Sequence, residues 1–170
     1  MTGGTAGLVV GEATAEATYP LRRDVLRAGR PGSWPVDPPG TLHLAARTAD
    51  GRVVGVVRFV PAACPYRPRA RASWQLRGMA TDPSVRGSGV GRAVVRLGLA
   101  RVTGRGADVV WCDARASAAG FYARMGFTAV TGPFDRPATG PHVGMVVDIG
   151  RVPTPSGWAL GSAGTEPRMR

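Results

Sequence analysis

The sequence has no lysine, two cysteines and two histidines among its 170 residues. Cys64 and Cys112 are far apart and have no metal-ligand spacing, and no other ligand-type residues cluster around His43 or His142. These absences argue against a metal site, so we expect no metal cofactor. Cys112 lies in the apolar run DVVWCDA, which predicts a buried and inert thiol. Reduced thiols fit a cytosolic setting.

Long apolar runs are also missing, since none approaches the roughly 18 residues that a membrane span needs. Residues 1–11 lack the basic start and the long apolar stretch of a signal peptide. We therefore expect a cytoplasmic protein that does not enter a membrane. The length suits one domain, residues 1–150. The segment 151–170 is rich in Pro, Gly and Ser without apolar periodicity, which predicts a disordered tail.

Positive charge exceeds negative charge in this chain. All 22 basic side chains are arginine and 11 side chains are acidic, which gives a net charge of +11. Such a surface attracts anions, whether a phosphorylated cofactor or a nucleic acid. The arginines are scattered in blocks no longer than a pair, and neither a helix-turn-helix nor an aromatic stacking platform is recognisable. Nucleic-acid binding is therefore the least favoured function.

Apolar patterning predicts both strands and helices. Two apolar runs joined by Asp50-Gly51 predict a β-hairpin, and residues 73–114 predict a strand, a turn, a helix and a second strand. The two strands of such a βαβ unit run parallel, whereas the flanking hairpins are antiparallel. Residues 15–30 predict a helix interrupted near Pro20. The predicted fold class is therefore α/β (α+β), with a mixed, mostly antiparallel central sheet flanked by helices.

Three glycines at alternate positions interrupt the start of a predicted helix in SVRGSGVGRAVV. Glycine is a poor helix former, so Gly87, Gly89 and Gly91 need another explanation. Without side chains, successive backbone N–H groups can converge on an anion at the positive end of the helix dipole. Arg86 and Arg92 flank the glycines and would add charge-assisted hydrogen bonds to a pyrophosphate. We interpret the turn as an anion site; a turn that merely packs closely is the alternative.

Two other glycine motifs fit this turn less well. A P-loop needs Lys followed by Ser or Thr after its last glycine, whereas Arg92 and Ala93 follow Gly91. A dinucleotide-binding fingerprint needs the spacing G-x-G-x-x-G, and the spacing here is G-x-G-x-G. Asp113 closes the next strand, where such a fold places its ribose-binding acid. However, the segment TDPSVR separates the preceding strand from the first glycine, so the tight strand-to-helix turn is missing.

The segment RGSGVG, after a strand and TDPSVR, resembles the acetyl-CoA pyrophosphate loop of the GNAT N-acetyltransferases. LRGMATDP is similar to the fourth strand of that family, and FYARMGF is similar to its late helix. VVWCDARASAAGFY and GPHVGM resemble a branch of small members with a WCNAR stretch. The resemblance covers residues 8–149 and is most specific over 76–127. It implies a GNAT-like acyl-CoA N-acyltransferase fold in which the fourth and fifth strands splay apart.

The resemblance implies that acetyl-CoA is the acyl donor and is bound mainly by backbone groups. The backbone of Met79, Ala80 and Thr81 is expected to pair with the pantetheine arm, and one N–H there is expected to polarise the thioester carbonyl. Asp113 stands where that branch has Asn; a carboxylate there would weaken a contact with CoA or orient an ammonium. The turn is expected to bind the pyrophosphate through Arg86, Gly87, Ser88, Gly89, Val90, Gly91 and Arg92.

Tyr122 matches the tyrosine that protonates the departing CoA thiolate in the family, and a packing aromatic beside Phe121 is the alternative. The amine attacks directly in this family, so no nucleophilic cysteine or serine is needed. The general base is open, because the strand segment WQLRG lacks the Glu that several relatives carry. Asp82 suits an ordinary turn, His142 has a suitable unperturbed pKa, and water is the third choice.

The resemblance predicts an acetyl-CoA-dependent N-acetyltransferase that acts on a primary amine of a small molecule or a protein. A non-catalytic acyl-CoA-binding module is the alternative. The loops 31–40 and 61–72 are expected to border the acceptor pocket. Arg77 or Arg22 would meet a carboxylate of the acceptor there, unless both are simply solvated. A homodimer is expected by analogy with the family.

Overall fold

A computed structural model of the chain describes residues 7–149, which contain eight strands and three α-helices. The strands are β1 (Val9–Glu12), β2 (Leu42–Arg47), β3 (Val53–Pro61), β4 (Ser73–Thr81), β5 (Val109–Arg115), β6 (Thr128–Ala129), β7 (Phe134–Arg136) and β8 (Gly140–Asp148). The helices are α1 (Ala15–Leu26), α2 (Val90–Gly104) and α3 (Ala119–Arg124). The tail predicted for 151–170 lies outside the described residues.

The strands form one sheet in the order β1-β2-β3-β4-β5-β8-β6, and β7 also pairs with β8. Within residues 7–149, β4 and β5 run parallel and every other strand pair is antiparallel. The parallel pair arises because α2 returns the chain across the sheet between these two strands. The predicted mixed, mostly antiparallel sheet flanked by helices is confirmed.

Each face of the sheet carries its own apolar cluster. On one face, which we call the α2 face, α2 and α3 pack against a cluster that includes Leu44 and Val57. On the opposite face, which we call the α1 face, Leu21 of α1 packs against Ala45 and Val56. Neighbouring residues of β2 and β3 thus point to opposite faces, as the period of two of a strand requires. Side chains of the same strand therefore belong to different sides of the sheet.

The predicted interruption of α1 near Pro20 is wrong. The helix runs from Ala15 to Leu26 with Pro20 inside it, although proline removes one backbone N–H donor. Leu21 is buried, and Val25 and Leu26 pack against the same cluster on the sheet. This tertiary packing maintains the helix, because packing of an apolar face contributes more to helix stability than local propensity does.

Glycine lets α2 approach β3 closely. A Cβ atom on Gly98 would lie 1.9 Å from Cε2 of Phe59, whose side chain is 0% exposed. At the start of the helix, a Cβ atom on Gly55 of β3 would lie 2.4 Å from Cγ1 of Val90. These two contacts fix the position of α2, and with it the position of the glycine turn that precedes the helix.

Gly98→Ala is expected to lower the free energy of unfolding by about 2 kcal/mol, because the new methyl group overpacks a buried ring. Gly104→Ala is the matched control on the same helix, since nothing lies within 4 Å of its Cβ position. Alanine there is expected to raise stability by up to about 1 kcal/mol through helix propensity. Urea denaturation of both variants measures the difference. A Gly98→Ala protein as stable as Gly104→Ala would contradict the close approach.

Candidate active site

β4 and β5 separate partway along the sheet. They pair only over residues 73–75 and 109–111. Over residues 76–81, β4 still pairs with β3 along one edge. The backbone groups of β4 on the opposite edge, which faces β5, have no strand partner there in the described structure. The splay implied by the family resemblance is therefore present. An extended ligand can add to such an edge as a strand would.

A β-bulge lies in the open part of β4. The register shifts between Val56 and Arg58 of β3, so Gly78 and Met79 together face Val57. Gly78 has φ of +60°, in the left-handed region that favours glycine. Bulges re-aim side chains and end regular pairing next to functional sites. Here the bulge includes Met79, the first of the residues expected to pair with a pantetheine arm.

The glycine turn begins α2 at the open end of this gap. Gly87 and Gly89 have φ of +81° and +89°, which favours glycine at both positions. Gly89 is the N-cap and has no side chain to accept from the first turn. The first helical bond runs from Ala93 N to Gly89 O at 2.9 Å, and the N–H groups of 89–92 donate no hydrogen bond within residues 7–149. Four free donors at a positive helix end suit a phosphate or pyrophosphate.

Gly91 brings this turn against the open strand. A Cβ atom on Gly91 would lie 2.5 Å from Cε of Met79, 3.3 Å from Oγ1 of Thr81 and 3.6 Å from Cε2 of Phe121. The start of α2, the open edge of β4 and helix α3 therefore meet at one point. The side chain of Ala80 packs on the α1 face instead, so only its backbone belongs to this edge.

The other predicted residues of the turn differ in exposure. Arg86, Ser88 and Arg92 are exposed, whereas Val90 is buried in the core. The Ser88 hydroxyl donates to the carbonyl of Val85 at 2.6 Å. Neither Arg86 nor Arg92 has a carboxylate partner in the part of the chain that the structure describes. Both guanidinium groups are available to an anion at the turn.

Tyr122 is buried on α3 beside the open strand. Its hydroxyl contacts Sδ of Met79 at 3.6 Å, and its ring packs edge-on against Phe121 and Phe127. Burial raises the pKa of Tyr122, and the neighbouring Cys112 thiol raises it further. The phenol therefore keeps its proton at neutral pH. A protonated hydroxyl with only a sulfur atom for a partner is free to donate.

Asp113 lies on the α1 face of β5, next in the strand to Cys112, which packs on the α2 face. Its carboxylate accepts a hydrogen bond of 2.6 Å from the Tyr66 hydroxyl and forms an ion pair with Arg136. Gly144 makes room for this arrangement, since a Cβ atom there would lie 2.6 Å from the Tyr66 hydroxyl. The structure thus separates Asp113 from the glycine turn and places it with the loop 61–72.

Asp113→Asn is expected to lower the pKa of Tyr66, which burial and, next, the hydrogen bond to Asp113 raise to about 12. Because this pKa exceeds the unfolded value of about 10, the phenol contributes stability that is lost as pH rises from about 10 to about 12. The variant is expected to lose less stability over that window. Ultraviolet absorbance of the phenolate, with Tyr66→Phe subtracted, measures the pKa. The control Asp135→Asn changes an exposed residue on β7 and should leave the pKa of Tyr66 unchanged. An unchanged pKa in Asp113→Asn would contradict the hydrogen bond between Tyr66 and Asp113.

The structure also places the candidate general bases. Asp82 caps a turn, with its carboxylate accepting from Ser84 N at 2.8 Å and pairing with Arg52. The hydrogen bonds from Ser84 and the charge of Arg52 lower the pKa of Asp82, which makes it a poorer base. His142 is buried, and its Nδ1 lies 2.8 Å from the carbonyl oxygen of Gly140. A carbonyl only accepts, so Nδ1 is the ring nitrogen that carries a proton in this contact.

The sequence analysis named Arg22 as a contact for an acceptor carboxylate but missed the buried charged cluster to which it belongs on the α1 face. Arg58 of β3 forms an ion pair with Asp37, whose other oxygen lies 3.1 Å from Nε2 of His43. Arg22 of α1 is also buried, and its guanidinium lies 4.1 Å from the ring centre of Trp34. One signal for it was an arginine inside the apolar run VVGVVRFVP, where strand alternation directs the side chain inward.

Comparisons with known proteins agree with this geometry. The model of the acetyltransferase (GNAT) domain family matches residues 39–129. The uncharacterized N-acetyltransferase YitI of Bacillus subtilis (strain 168) is 31% identical over 136 residues, which cover 78% of this chain and 90% of that protein.

Two crystal structures share the fold. Escherichia coli ElaA superposes with a TM-score of 0.68 at 19% identity, covering 83% of this chain and 99% of that one. An aminoglycoside 6'-N-acetyltransferase complexed with coenzyme A superposes with a TM-score of 0.63 at 17% identity, covering 86% and 99%.

The splayed mixed sheet, with a glycine turn at the start of α2, is the fold of an acyl-CoA-dependent acyltransferase. The chain belongs to the GNAT acetyltransferase family and is an N-acetyltransferase. The family uses acetyl-CoA as its acyl donor. Within residues 7–149, no helix is long and apolar enough to cross a membrane.

Proposed function

We propose that the chain transfers the acetyl group of acetyl-CoA directly to a primary amine of a small molecule or a protein, with Tyr122 as the general acid. One observation carries this proposal: the open edge of β4, the free N–H groups of 89–92 and the buried Tyr122 hydroxyl meet at one place. Acetyl-CoA supplies an electrophilic thioester and a thiolate leaving group.

The residues at this place fit a ligand of the CoA type. The N–H groups of 89–92, with the side chains of Arg86 and Arg92, would bind the two linked phosphates. The open edge over 79–81 would receive the extended, amide-containing arm. An N–H of that edge would donate to the thioester oxygen, where negative charge develops.

Tyr122 supplies the proton in this proposal. Its raised pKa keeps the hydroxyl protonated, and its contact with Met79 places that proton beside the open edge. A covalent acyl-enzyme is not needed, and the two thiols suit it poorly. Burial raises the pKa of Cys64, and burial together with the charge of Asp113 raises that of Cys112, so both stay protonated.

Asp113 belongs to the acceptor side in this proposal. Its carboxylate is held by Tyr66 and Arg136 on the α1 face, opposite the glycine turn. From that face it would attract the ammonium form of the acceptor rather than contact the phosphates of the donor. The loop 61–72, which carries Tyr66, would then border the acceptor.

A non-catalytic acyl-CoA-binding module is the second candidate. It is favoured by the absence of a carboxylate from β4, where several relatives carry a Glu. Asp82, at the end of the strand, is occupied by Ser84 and Arg52. Such a module would bind acetyl-CoA and release no thiol with any amine.

Calorimetric titration of acetyl-CoA into the protein at low and moderate salt tests the proposal. Micromolar binding, followed by thiol release with members of an amine library, is the expected result. Binding without thiol release favours the module, and no binding overturns both. Light scattering on the same samples tests the homodimer. We also propose a cytoplasmic location, which the free thiols of Cys64 and Cys112 support.

A further inference from the structure

Arg22 is a buried cation without a carboxylate partner. The residue is 3% exposed, and no carboxylate oxygen within residues 7–149 lies within 4.0 Å of its guanidinium. Its Nη1 makes a long contact of 3.5 Å with Oγ1 of Thr18, and its Nε has no hydrogen-bond partner. An unpaired buried charge destabilises a fold by several kcal/mol, so its presence calls for a function.

The surroundings of Arg22 increase this excess of positive charge. Arg58 is buried nearby and pairs with Asp37, and Arg77 lies opposite Arg58 in the strand register. Burial lowers the pKa of His43, so this ring adds no positive charge at neutral pH. Two buried arginines, Arg22 and Arg58, therefore share the single carboxylate of Asp37, and the exposed Arg77 adds a third positive charge beside them. Burial, and next the charge of Arg58, lower the pKa of Arg22 to about 10, which still leaves it charged at neutral pH.

Arg22 is also next to the open part of β4. A Cβ atom on Gly78, the first residue of the bulge, would lie 3.1 Å from Nε of Arg22 and 3.5 Å from its Nη2. Glycine therefore adds no side chain where β4 approaches this edge of the guanidinium. Met79, the next residue, contacts the Tyr122 hydroxyl from the α2 face. The cation and the proposed general acid thus lie on opposite sides of the same two residues.

We propose that Arg22 binds the carboxylate of the acceptor, so that the substrate is an amine carrying a carboxylate, as an amino acid does. This inference rests on the proposed function. A guanidinium binds a carboxylate through two parallel hydrogen bonds, which would satisfy the unpartnered Nε together with an Nη group. The bound carboxylate would supply the counter-charge that Arg22 lacks, and the amine would reach β4 from the side opposite the pyrophosphate turn.

A binding experiment independent of turnover tests Arg22. The guanidinium groups of Arg22 and Arg27 lie over the ring of Trp34, at 4.1 and 3.9 Å from its centre, so the fluorescence of Trp34 reports on this site. Sodium propionate is titrated at constant ionic strength, with propionamide as the neutral isostere. We expect propionate alone to change the emission. Arg22→Met should abolish the change, whereas Arg23→Met, an exposed neighbour paired with Asp24, should keep it.

Turnover supplies the second arm of the test. Wild type is expected to acetylate at least one amino acid of an L-series with kcat/KM roughly 10- to 100-fold above that for its decarboxylated amine, the range that hydrogen bonds to charged groups provide. Arg22→Met should remove this preference without lowering the melting temperature, because it deletes an uncompensated charge and keeps an apolar stem.

The outcomes separate the two proposals. Failure of acetyl-CoA to bind wild type in calorimetry overturns the proposed function. Equal responses to propionate and propionamide, or a propionate response retained in Arg22→Met, overturn the carboxylate site alone. A lower melting temperature in Arg22→Met with an unchanged preference assigns Arg22 a structural role, which also overturns the inference.

Discussion

Gly89→Glu with Gly91→Glu is expected to weaken acetyl-CoA binding by 100-fold or more. The two carboxylates would stand among the free N–H groups of 89–92, where the proposed pyrophosphate is bound. Like charges brought together in this way cost several kcal/mol, and each 1.4 kcal/mol is a factor of ten in Kd, so on the order of 100-fold is a lower bound. Calorimetric titration of acetyl-CoA measures the change.

The matched control is Ala100→Glu with Gly104→Glu. It makes the same change in net charge on the same helix, at two exposed positions toward the other end. This variant should bind acetyl-CoA within about two-fold of wild type at moderate salt, because charges separated by more than a Debye length are screened. Equal weakening in both variants would mean that binding follows the overall charge of the chain and not the turn.

Gly91→Glu alone separates charge from backbone strain. Gly89 has φ of +89°, so any side chain there strains the turn, whereas Gly91 is free of that restriction. The new Cβ of residue 91 would displace the flexible end of Met79, which lies 2.5 Å from it. Most of the loss in affinity should already appear in this single variant, and circular dichroism should show an intact fold.

Tyr122→Phe is expected to lower kcat by 100-fold or more with Kd for acetyl-CoA unchanged. General acid catalysis contributes on the order of 100- to 10,000-fold, and the phenylalanine cannot donate a proton to the departing thiolate. The ring contacts with Phe121 and Phe127 remain, and the lost hydroxyl contacts only a sulfur at 3.6 Å. Stability should therefore change by less than about 1 kcal/mol. Steady-state kinetics and calorimetry measure the two effects.

A change of leaving group provides the control for Tyr122. A thiolate that is a weaker base needs less help from an acid, so acetyl thioesters of more acidic thiols should lose less activity in Tyr122→Phe. A packing role predicts the opposite pattern, in which every thioester loses the same factor and the melting temperature falls. Unchanged turnover of acetyl-CoA with the true acceptor would remove Tyr122 from the mechanism.

Local sequence signals were sufficient to predict the mixed sheet and the glycine turn at the start of α2. The hairpin turn at Asp50-Gly51, the βαβ spacing and the alternate glycines each specify geometry within a few residues. Gly87 and Gly89 adopt positive φ, which explains why the sequence has glycine at these positions. The gap between β4 and β5 follows from family resemblance, since nothing in the apolar pattern of either strand distinguishes a paired half from an open half.

Contacts between distant residues could not be predicted in the same way. The hydroxyl of Tyr66 reaches Asp113 across 47 residues of chain, through space that Gly144 leaves free. The burial of Arg22 depends on the loop that carries Trp34, and the continuity of α1 through Pro20 depends on packing against the sheet. In each case tertiary contacts determine the structure, and these contacts cannot be predicted from local propensity.

Because β4 and β5 pair over only a few residues, the sheet is divided into two halves. One half contains β1 to β4 and the other contains β5 to β8. The two halves are hydrogen-bonded to each other only where residues 73–75 pair with residues 109–111. Asp108 reinforces the closed end, with its carboxylate accepting from Arg71 N at 2.7 Å and its own N–H donating to Ala72 O at 3.0 Å. A ligand in the gap would contact both halves of the sheet. Binding of the donor would therefore stabilise the whole sheet as well as occupy the site.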